Sequence, residues 1–402
     1  MSQSIPIETV NSKRSNLRSE RVLVTHTLPE SEYHSRLEVI RSIITEQNYA
    51  GLLAVSGYVE RDGNVCYLCG HKNAFPYSTR TESVSGLGYS ALLVPTVGET
   101  TLIAPLGYRA ETVVGVGKSK TGTNFALDLI NSISDSLPNQ GRLALAGSDV
   151  LPAVYVEEMR RSLPHVSIEF RDDIIAEQRM IKSDNELKLI EKASKIADQA
   201  LWAAVDAIRP GMSESAIGSI ARKVAMDAGA DYVVRDRVQS GVEKMKGIRW
   251  PFASKRNVRK GELISIDFVG WVNSYGFDIL RMGCAGRPDE EQRMLIELAY
   301  EATCSMSNAL IDNADVEDSI AKLSQFERPG ISISPFGHSI GLEIVEKPYL
   351  FPGVKMKIKK DMVFCVEPDI RTAKESTCIE NEVVVTSGRP KTITKLPVDF
   401  WK

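Results

Sequence analysis

The sequence predicts an α/β domain followed by an α+β domain, and two observations carry this prediction. Short apolar strands alternate with amphipathic helices over residues 31–172. Beyond residue 176 the order changes to long helices followed by strands, and this order occurs twice. We therefore expect an N-terminal arm over residues 1–30, an α/β domain over residues 31–175 and an α+β domain over residues 176–402.

The first domain opens with a helix and contains a hairpin. Apolar residues recur at helical spacing in SEYHSRLEVIRSIITEQNYA, and we expect this helix to open at Ser31. Residues 90–95 and 100–105 are apolar strands joined by the turn-forming PTVGET, which predicts a hairpin. The other elements predicted here are a strand over residues 51–56, the helix FALDLINSISDSL and the strand RLALAGSD.

The second domain is predicted to begin with a long capped helix. Ser183 and Glu186 have the spacing of a capping box, in which each side chain binds a backbone amide of the first turn. Helical spacing of apolar residues then predicts a helix of more than about twenty residues. Two further helices are predicted, SESAIGSIARKVAMDAGA and DEEQRMLIELAYEATCSMSNALI, each followed by strands.

Composition and charge argue against several classes of partner. The net charge of −3 offers no basic surplus for nucleic acid or for an anionic membrane surface. No apolar run is long enough for a membrane helix. The polar N-terminus, MSQSIPIETVNSKRSNLRSERV, lacks the apolar core of a secretory signal. We therefore expect a cytoplasmic protein that binds neither nucleic acid nor membrane.

The six cysteines lie in apolar segments and form no dense framework, which favours reduced, buried thiols. Cys66-x-x-Cys69, with His71 close by, leaves zinc binding or redox chemistry open as an alternative.

Two aspartates occupy a predicted hairpin of the second domain. Asp267 ends the apolar strand LISID, and Asp278 follows the turn VNSYG on the next strand. A hairpin of this length can bring the two carboxylates together, and such a pair needs a cation or a shared proton. On the hairpin alone, two solvated loop aspartates remain an alternative.

Two glutamates lie in buried-looking strands near the C-terminus. Glu367 lies in DMVFCVEPDI and Glu380 in STCIENEVVVTSG, where an unpaired carboxylate would be costly to bury. Glu382, two residues beyond Glu380, is the rival for the same role.

A histidine completes the set. His338, in FGHSIGLEIVEKP, taken alone is typical of a satisfied core histidine. Together with Asp267, Asp278, Glu367 and Glu380 it predicts a metal centre, because four hard oxygen ligands and one imidazole suit Mn, Fe, Co or Zn.

At these residues the sequence resembles the pita-bread superfamily of methionine aminopeptidase, aminopeptidase P, prolidase and creatinase. GHSIGLEIVEKP is similar to the family segment GHGIGL-x-x-HE-x-P, and VEPDI and CIENEVVVTSG are similar to its two glutamate motifs. RMIKSDNELKLIEKA and GNVCYLCGH extend the resemblance over nearly the whole chain after residue 30.

The resemblance implies a creatinase/prolidase-like N-terminal domain and a pita-bread catalytic domain. It also implies a homodimer that acts on a small-molecule substrate. Glu367 would serve as general base, and two divalent ions would share five ligands: Asp267, Asp278, His338, Glu367 and Glu380.

Two departures from the family concern its non-ligand histidines. The family's peptidases have one seven residues after the ligand histidine, where this chain has Val345, and one before the first aspartate, where it has Trp250. Creatinase resembles the chain in length but works without metal and uses the histidine at the Trp250 position, so creatine hydrolysis is not expected. Trp250 and Val345 are predicted to line an apolar substrate pocket; the alternative is that both are ordinary core residues whose side chains turn away from the metals.

Other polar residues near the motifs are candidates for the missing roles: Arg235, Arg237, Arg249 and Tyr275. In family dimers the loop at GHKNAFPYSTRTE reaches the partner's active site, so Phe75, Tyr77 and Arg80 are predicted to contribute to substrate binding. An ordinary surface loop is the alternative.

Three functions remain open from the sequence. The first is a dinuclear metal-dependent hydrolase of the Xaa-Pro peptidase type, acting on a small amino-acid-like or amide substrate. The second is a non-hydrolytic metal enzyme, a lyase or an oxygen-dependent enzyme of a specialised pathway, which the missing histidines suggest. The third is a non-catalytic pita-bread binding protein.

Overall fold

The structure is a computed structural model that describes residues 27–73, 80–81, 84–105, 113–138, 140–241 and 253–398. Phe75, Tyr77, Arg249, Trp250 and most of the predicted N-terminal arm lie outside the described residues.

Nine α-helices lie in the described residues: α1 (Glu30–Glu46), α2 (Gly63–Cys69), α3 (Phe125–Ser136), α4 (Ala153–Ser162), α5 (Asp173–Met180), α6 (Asp184–Ala207), α7 (Glu214–Asp227), α8 (Glu290–Asn308) and α9 (Val316–Ala321). None of them is long and apolar enough to cross a membrane.

Six strands of the described part precede α6: β1 (Gly51–Ser56), β2 (Ser90–Pro95), β3 (Thr101–Ile103), β4 (Lys118–Lys120), β5 (Gly141–Ala146) and β6 (Val166–Phe170). Eleven strands follow α7: β7 (Tyr232–Ser240), β8 (Leu263–Val272), β9 (Tyr275–Cys284), β10 (Ser332–Ser334), β11 (Gly337–Ser339), β12 (Glu346–Tyr349), β13 (Val363–Val366), β14 (Asp369–Arg371), β15 (Ser376–Cys378), β16 (Asn381–Val384) and β17 (Lys391–Thr392).

The first six strands form one mixed sheet in the order β4-β3-β2-β1-β5-β6. The β2–β3 hairpin pairs antiparallel with Leu92 opposite Leu102, as the turn-forming PTVGET predicted. Along β1, Leu52 and Ala54 join one apolar cluster, whereas Leu53 and Val55 join another. Because successive side chains of a strand point to opposite faces, both faces of this sheet are covered, and the α/β prediction is confirmed.

Helix α1 begins at Glu30, one residue before the predicted start at Ser31. Pro29 holds an extended backbone immediately before the helix, with φ −58° and ψ 142°, so the first turn starts directly after it. Leu37, Ile40 and Ile44 form its buried face, which confirms the periodicity.

The predicted capping box at the start of α6 is confirmed. The Ser183 hydroxyl accepts from the Glu186 amide at 3.2 Å, and the Glu186 carboxylate accepts from the Ser183 amide at 2.9 Å. Residue 176, the predicted domain boundary, falls inside α5, so the division of the chain at that residue stays a prediction.

After α6, helices precede strands twice, as predicted. Helices α6 and α7 precede the antiparallel sheet β7-β8-β9, and α8 and α9 precede the sheets β12-β11-β13-β16-β17 and β10-β14-β15. The indole of Trp271 on β8 donates to the Leu342 carbonyl at 2.9 Å. The Gly276 amide on β9 donates to the Gly341 carbonyl at 2.8 Å. These bonds fix the β8–β9 hairpin against the segment that follows His338.

Candidate metal centre and active site

The β8–β9 hairpin places two aspartates on one face. Asn273 and Ser274 form its two-residue turn with φ values of 51° and 74°, as the tight hairpin turn requires. Asp267 lies directly opposite Leu280, and Leu280 is two residues from Asp278. Because directly opposed residues share a face, as do residues two apart along a strand, Asp267 and Asp278 face the same way.

Strand β11 brings His338 to the same place. The ring Nδ1 lies 3.0 Å from the Ser339 carbonyl, so an Nδ1–H donated there leaves Nε2 to face the acidic side chains. Nε2 lies 3.7 Å from Asp278 Oδ2, 3.6 Å from Glu367 Oε1 and 4.0 Å from Glu380 Oε1. One imidazole nitrogen therefore faces three carboxylates.

Backbone hydrogen bonds hold the two glutamates in register with these elements. The Glu380 amide donates to the Leu280 carbonyl on the hairpin at 3.1 Å, and the Glu367 amide donates to the Phe336 carbonyl at 3.1 Å. The ligand atoms of Asp267, Asp278 and Glu380 all lie within 4.8 Å of one another. Five side chains thus converge from β8, β9, β11 and the segments directly after β13 and directly before β16.

The rival carboxylate, Glu382, has a different role. Its Oε1 accepts from the Asp278 backbone amide at 3.0 Å, so it supports the hairpin. Of the two glutamates, Glu380 is the one whose carboxylate lies with Asp267 and Asp278.

The buried carboxylates of the cluster raise one another's pKa values. Burial raises the pKa of Asp278 and Glu380 well above the ordinary range, and the neighbouring carboxylates raise both further. Burial alone would lower the pKa of His338, but hydrogen bonding to Glu367 and the charge of Asp278 outweigh it and raise that pKa to about 9.

The residues present fit a divalent cation. Glu380 Oε1 is buried and has no hydrogen-bond partner among the described residues, which is costly unless a cation satisfies it. Carboxylates with one imidazole are a donor set for Mn, Fe, Co or Zn. The residues that would hold the metal are Asp267, Asp278, His338, Glu367 and Glu380.

A cavity of about 390 Å³ opens beside this cluster. Among the described ligand residues, Glu367 is the one that lines it. Its walls also carry two cations and two aromatic rings: Arg237, Arg371, Phe336 and Phe351. The cavity has the size of a small-molecule site, with a carboxylate of the cluster at its wall.

Residues 188–387, which contain all five ligand residues, match the model of metallopeptidase family M24. This part of the chain belongs to that family. The expected membership of the pita-bread superfamily is thereby confirmed, and the M24 domain is that of a metal-dependent, peptidase-type hydrolase.

Curated relatives and solved structures agree with the family. The Xaa-Pro dipeptidase of Pyrococcus horikoshii is 28% identical over 262 residues, which span 64% of this chain and 74% of that protein. The Xaa-Pro dipeptidase of Pyrococcus furiosus is 29% identical over 270 residues, 66% of this chain and 77% of that protein. The crystal structure of the prolidase from Pyrococcus horikoshii has a TM-score of 0.76 at 22% identity and covers 91% of this chain and 99% of its own. An X-Pro aminopeptidase from Thermotoga maritima has the same TM-score at 22% identity, over 90% of this chain and 98% of its own. These likenesses show the pita-bread fold.

Val345 of the M24 domain is not placed in the cavity beside Glu367. Its side chain is 48% exposed and lines a second cavity of about 260 Å³, together with Arg61 and Arg179. The adjacent Glu346, the first residue of β12, points inward to Arg179, whereas Val345 lies in the bend directly before β12 and is exposed. A role for Val345 in substrate binding stays a prediction, and Trp250 lies outside the described residues.

The predicted loop residue Arg80 and the polar candidates near the motifs lie in different parts of the structure. Arg80 is exposed and donates to Glu158 at 2.8 Å within the same chain, so its predicted reach into a partner's site stays a prediction. Tyr275 is buried and donates to Glu186 at 3.1 Å, away from the cluster. Arg235 and Arg237 of β7, in contrast, both face Asp267.

Cys365 is a residue near the M24 metal centre that the sequence analysis did not single out. Its thiol, His338 and Glu380 offer ligand atoms within 4.8 Å of one another, and the thiol donates to the Asp278 carbonyl at 3.7 Å. Its signal in the sequence was its position two residues before Glu367, in the same apolar segment.

The Cys66-x-x-Cys69 motif receives no support as a metal or redox site. Both cysteines are free and buried on α2. Burial raises the pKa of Cys66 to about 11 and that of Cys69 to about 12, which disfavours the thiolate that binds metal or exchanges disulfides. Burial also lowers the pKa of His71 to about 4.

Arg281 fixes the backbone at the ligand Glu380 and was also missed. The buried guanidinium donates to the carbonyls of Glu380, Leu280 and Leu396 and to the Asn381 side chain. The local sequence does not predict these bonds, because three of the four partner residues lie about a hundred residues further along the chain.

Replacing Arg281 by methionine is expected to lower the free energy of unfolding by about 2–4 kcal/mol, because several buried carbonyls lose their donor. Urea unfolding measures the change, with Arg160→Met as the control, since Arg160 is exposed and pairs with Glu157 on the same helix. Equal stability of the Arg281 variant and the control would contradict a structural role for Arg281.

Proposed function

We propose that the chain hydrolyses a small amino-acid-like or amide substrate in a metal-dependent reaction of the Xaa-Pro peptidase type. The observation that carries the proposal is the convergence of Asp267, Asp278, His338, Glu367 and Glu380 beside a cavity of small-molecule size. The relatives named Xaa-Pro dipeptidase support the reaction class.

The centre is proposed to take two divalent ions of Mn, Fe, Co or Zn, because four carboxylates and one imidazole suit such ions and the resemblance to the pita-bread superfamily implies a pair. When bound, such ions supply Lewis-acid stabilisation of the negative charge that develops on the scissile carbonyl. The other residues that would bind the ions are Asp267, Asp278, His338 and Glu380. All four are buried, which keeps bulk water away from them.

Glu367 is proposed as the general base. Its carboxylate lies at the cavity wall, where it can take a proton from the attacking water and return it to the leaving amine. The proton moves between Glu367 and substrate atoms in the cavity. Phe336 and Phe351 offer apolar contacts for the rest of the substrate.

A homodimer in the cytoplasm is part of the proposal. Its support is the resemblance of GHKNAFPYSTRTE to the loop that reaches the partner's active site in family dimers. Arg80 is the described residue of the predicted loop contact, and its exposure is compatible with a contact across an interface.

A second candidate function is non-hydrolytic chemistry at the same metals. One observation favours it: Val345 and Trp250 stand where the family's peptidases have histidines. A lyase or an oxygen-dependent enzyme would use the cavity without those groups.

A substrate screen tests the proposal. Protein reconstituted with Mn, Fe, Co or Zn is incubated with Xaa-Pro dipeptides, other dipeptides and N-acyl amino acids, with and without oxygen. We expect release of a free amine that needs metal and is unaffected by oxygen. Oxygen consumption with a product of increased mass, or elimination without uptake of water, would favour the second candidate and contradict the first.

Turnover of Xaa-Pro dipeptides is expected to be slow. Loss of a preorganised transition-state donor costs about 10²–10³ in rate, and the histidine that the family's peptidases have at the Trp250 position is absent here. The measurement is kcat/KM for Xaa-Pro dipeptides, compared with that of a prolidase loaded with the same metal. Efficient Xaa-Pro cleavage by the wild-type chain would contradict this expectation.

Val345→His alone is expected to leave Xaa-Pro turnover within about threefold of wild type, because position 345 faces a different cavity from Glu367. Val345→Asn serves as the size-matched control. A tenfold gain confined to the histidine variant would place position 345 in the substrate site.

A further inference from the structure

Arginine side chains on β7 face one of the five metal-ligand residues. Arg237 lies directly opposite Asp267 in the β7–β8 register, and its guanidinium contacts Asp267 Oδ2. Arg235, two residues away on the same face, lies 3.5 Å from the same oxygen. The Arg237 side chain is 11% exposed and that of Arg235 37% exposed, so Arg237 is the more enclosed of the pair.

The metal-ligand residues therefore divide into two sides. One side, the His338 side, consists of His338 and the three carboxylates within 4.0 Å of its Nε2, which are those of Asp278, Glu367 and Glu380. Asp267 marks the other side, which Asp278 and Glu380 also reach, because the ligand atoms of these three carboxylates lie within 4.8 Å of one another. Among the described ligand residues, Asp267 is the one whose carboxylate a guanidinium contacts. Guanidinium remains charged at every accessible pH and binds carboxylates with directed N–H donors.

We propose that Arg237 occupies the Asp267 side of the metal centre, so that a second ion binds only by displacing its guanidinium. This inference rests on the proposed metal centre and concerns its occupancy. The His338 side keeps four ligands and binds one ion firmly. On the Asp267 side, a divalent ion and Arg237 compete for the same oxygen, and their like charges repel each other at this range.

The cavity supports the competition. Arg237 lines the cavity of about 390 Å³ next to Glu367, so the guanidinium has space to move off Asp267 when an ion enters. Occupancy of the second position is thereby set by a residue that is not itself a ligand.

Metal titration of the whole chain tests the inference. Metal-free protein is titrated with Mn²⁺, and separately with Co²⁺, and bound ions are counted by calorimetry and elemental analysis. Mn²⁺ electron paramagnetic resonance distinguishes an isolated ion from a coupled pair. For wild type we expect one firmly held ion and a second at least about 100-fold weaker, with the signal of an isolated ion at stoichiometric metal.

Arg237→Leu removes the competing charge, and the second ion is expected to bind at least about tenfold more tightly, with a coupled-pair signal. Arg237→Lys keeps the charge and is expected to retain the wild-type pattern. Arg235→Leu is the matched control and is expected to change the second affinity less than about threefold, because Arg235 is more exposed and farther from Asp267. Arg237→Gln replaces the leucine variant if that one does not fold.

Two outcomes overturn the inference and are distinguishable from failure of the proposed function. Two ions of equal affinity in wild type, or an unchanged second affinity in both Arg237→Leu and Arg237→Gln, would overturn it and leave the metal centre intact. A wild-type chain that binds neither Mn²⁺ nor Co²⁺ would overturn the proposed function as well.

Discussion

Glu367→Gln is expected to lower kcat for the best substrate of the screen by about 10²–10⁴, the usual contribution of a general acid–base group. Glutamine keeps the size and one carbonyl oxygen but cannot take up the proton of the attacking water. Glu367 is the described metal-ligand residue at the wall of the cavity, and this position makes its proton chemistry accessible to substrate.

Asp369→Asn is the control for Glu367→Gln. Asp369 lines the same cavity two residues further on, but its carboxylate is paired with Arg371. We expect a loss of less than about tenfold for this variant. Bound metal is measured in both variants, because loss of metal and loss of the base lower kcat by different routes. A Glu367→Gln enzyme that retains metal and near wild-type kcat would contradict the assignment of the base.

Glu346→Gln is expected to lower the free energy of unfolding by about 3–5 kcal/mol, because the buried Lys182 loses the carboxylate it pairs with and the buried Arg179 keeps only its longer pair with Glu343. Arg179 Nη2 lies 2.6 Å from Glu346 Oε1, and Lys182 Nζ lies 3.4 Å from Oε2. All three side chains are buried, so water does not replace the lost charge. Urea unfolding measures the loss. Glu157→Gln, at an exposed pair, is the control and is expected to change stability by less than about 0.5 kcal/mol.

The same variant gives a pH dependence with a defined sign. Burial opposes ionisation of Glu346, but the charges of Arg179 and Lys182 outweigh it, and the pKa of this carboxyl is lowered. A lowered folded-state pKa contributes stability above the unfolded pKa of about 4.3, and that contribution is lost as the pH falls further. The difference in stability between wild type and Glu346→Gln is therefore expected to be full near neutral pH and to shrink in acid. A difference that grows on acidification would contradict the ion cluster.

Features that depend on residues close together in the sequence could be predicted from the sequence. The capping box at Ser183 and Glu186 needs three residues of separation, and the β8–β9 hairpin needs two strands and a turn. The ligand set was accessible for a related reason: a carboxylate in an apolar strand requires compensation, whichever strand lies beside it.

Features that depend on pairing between distant segments were not accessible. Arg237 faces Asp267 because of the β7–β8 register, and Arg281 binds carbonyls about a hundred residues away. Val345 is exposed next to Glu346, which is held inward by its bond to Arg179. Arg179 and Glu346 are 167 positions apart in the sequence. Periodicity within one segment carries no information on these partners.

Metal content of the purified chain tests the central claim most directly. Wild-type protein is stripped with chelator, reconstituted in turn with Mn, Fe, Co and Zn, freed of excess metal and analysed for bound ions. We predict about one or more divalent ions per chain for wild type, and less than about a tenth of that for His338→Ala. His165→Ala, at an exposed position outside the M24 domain, should retain the wild-type amount. A folded wild-type chain that holds none of the four metals would contradict the metal centre and the hydrolase proposed on it.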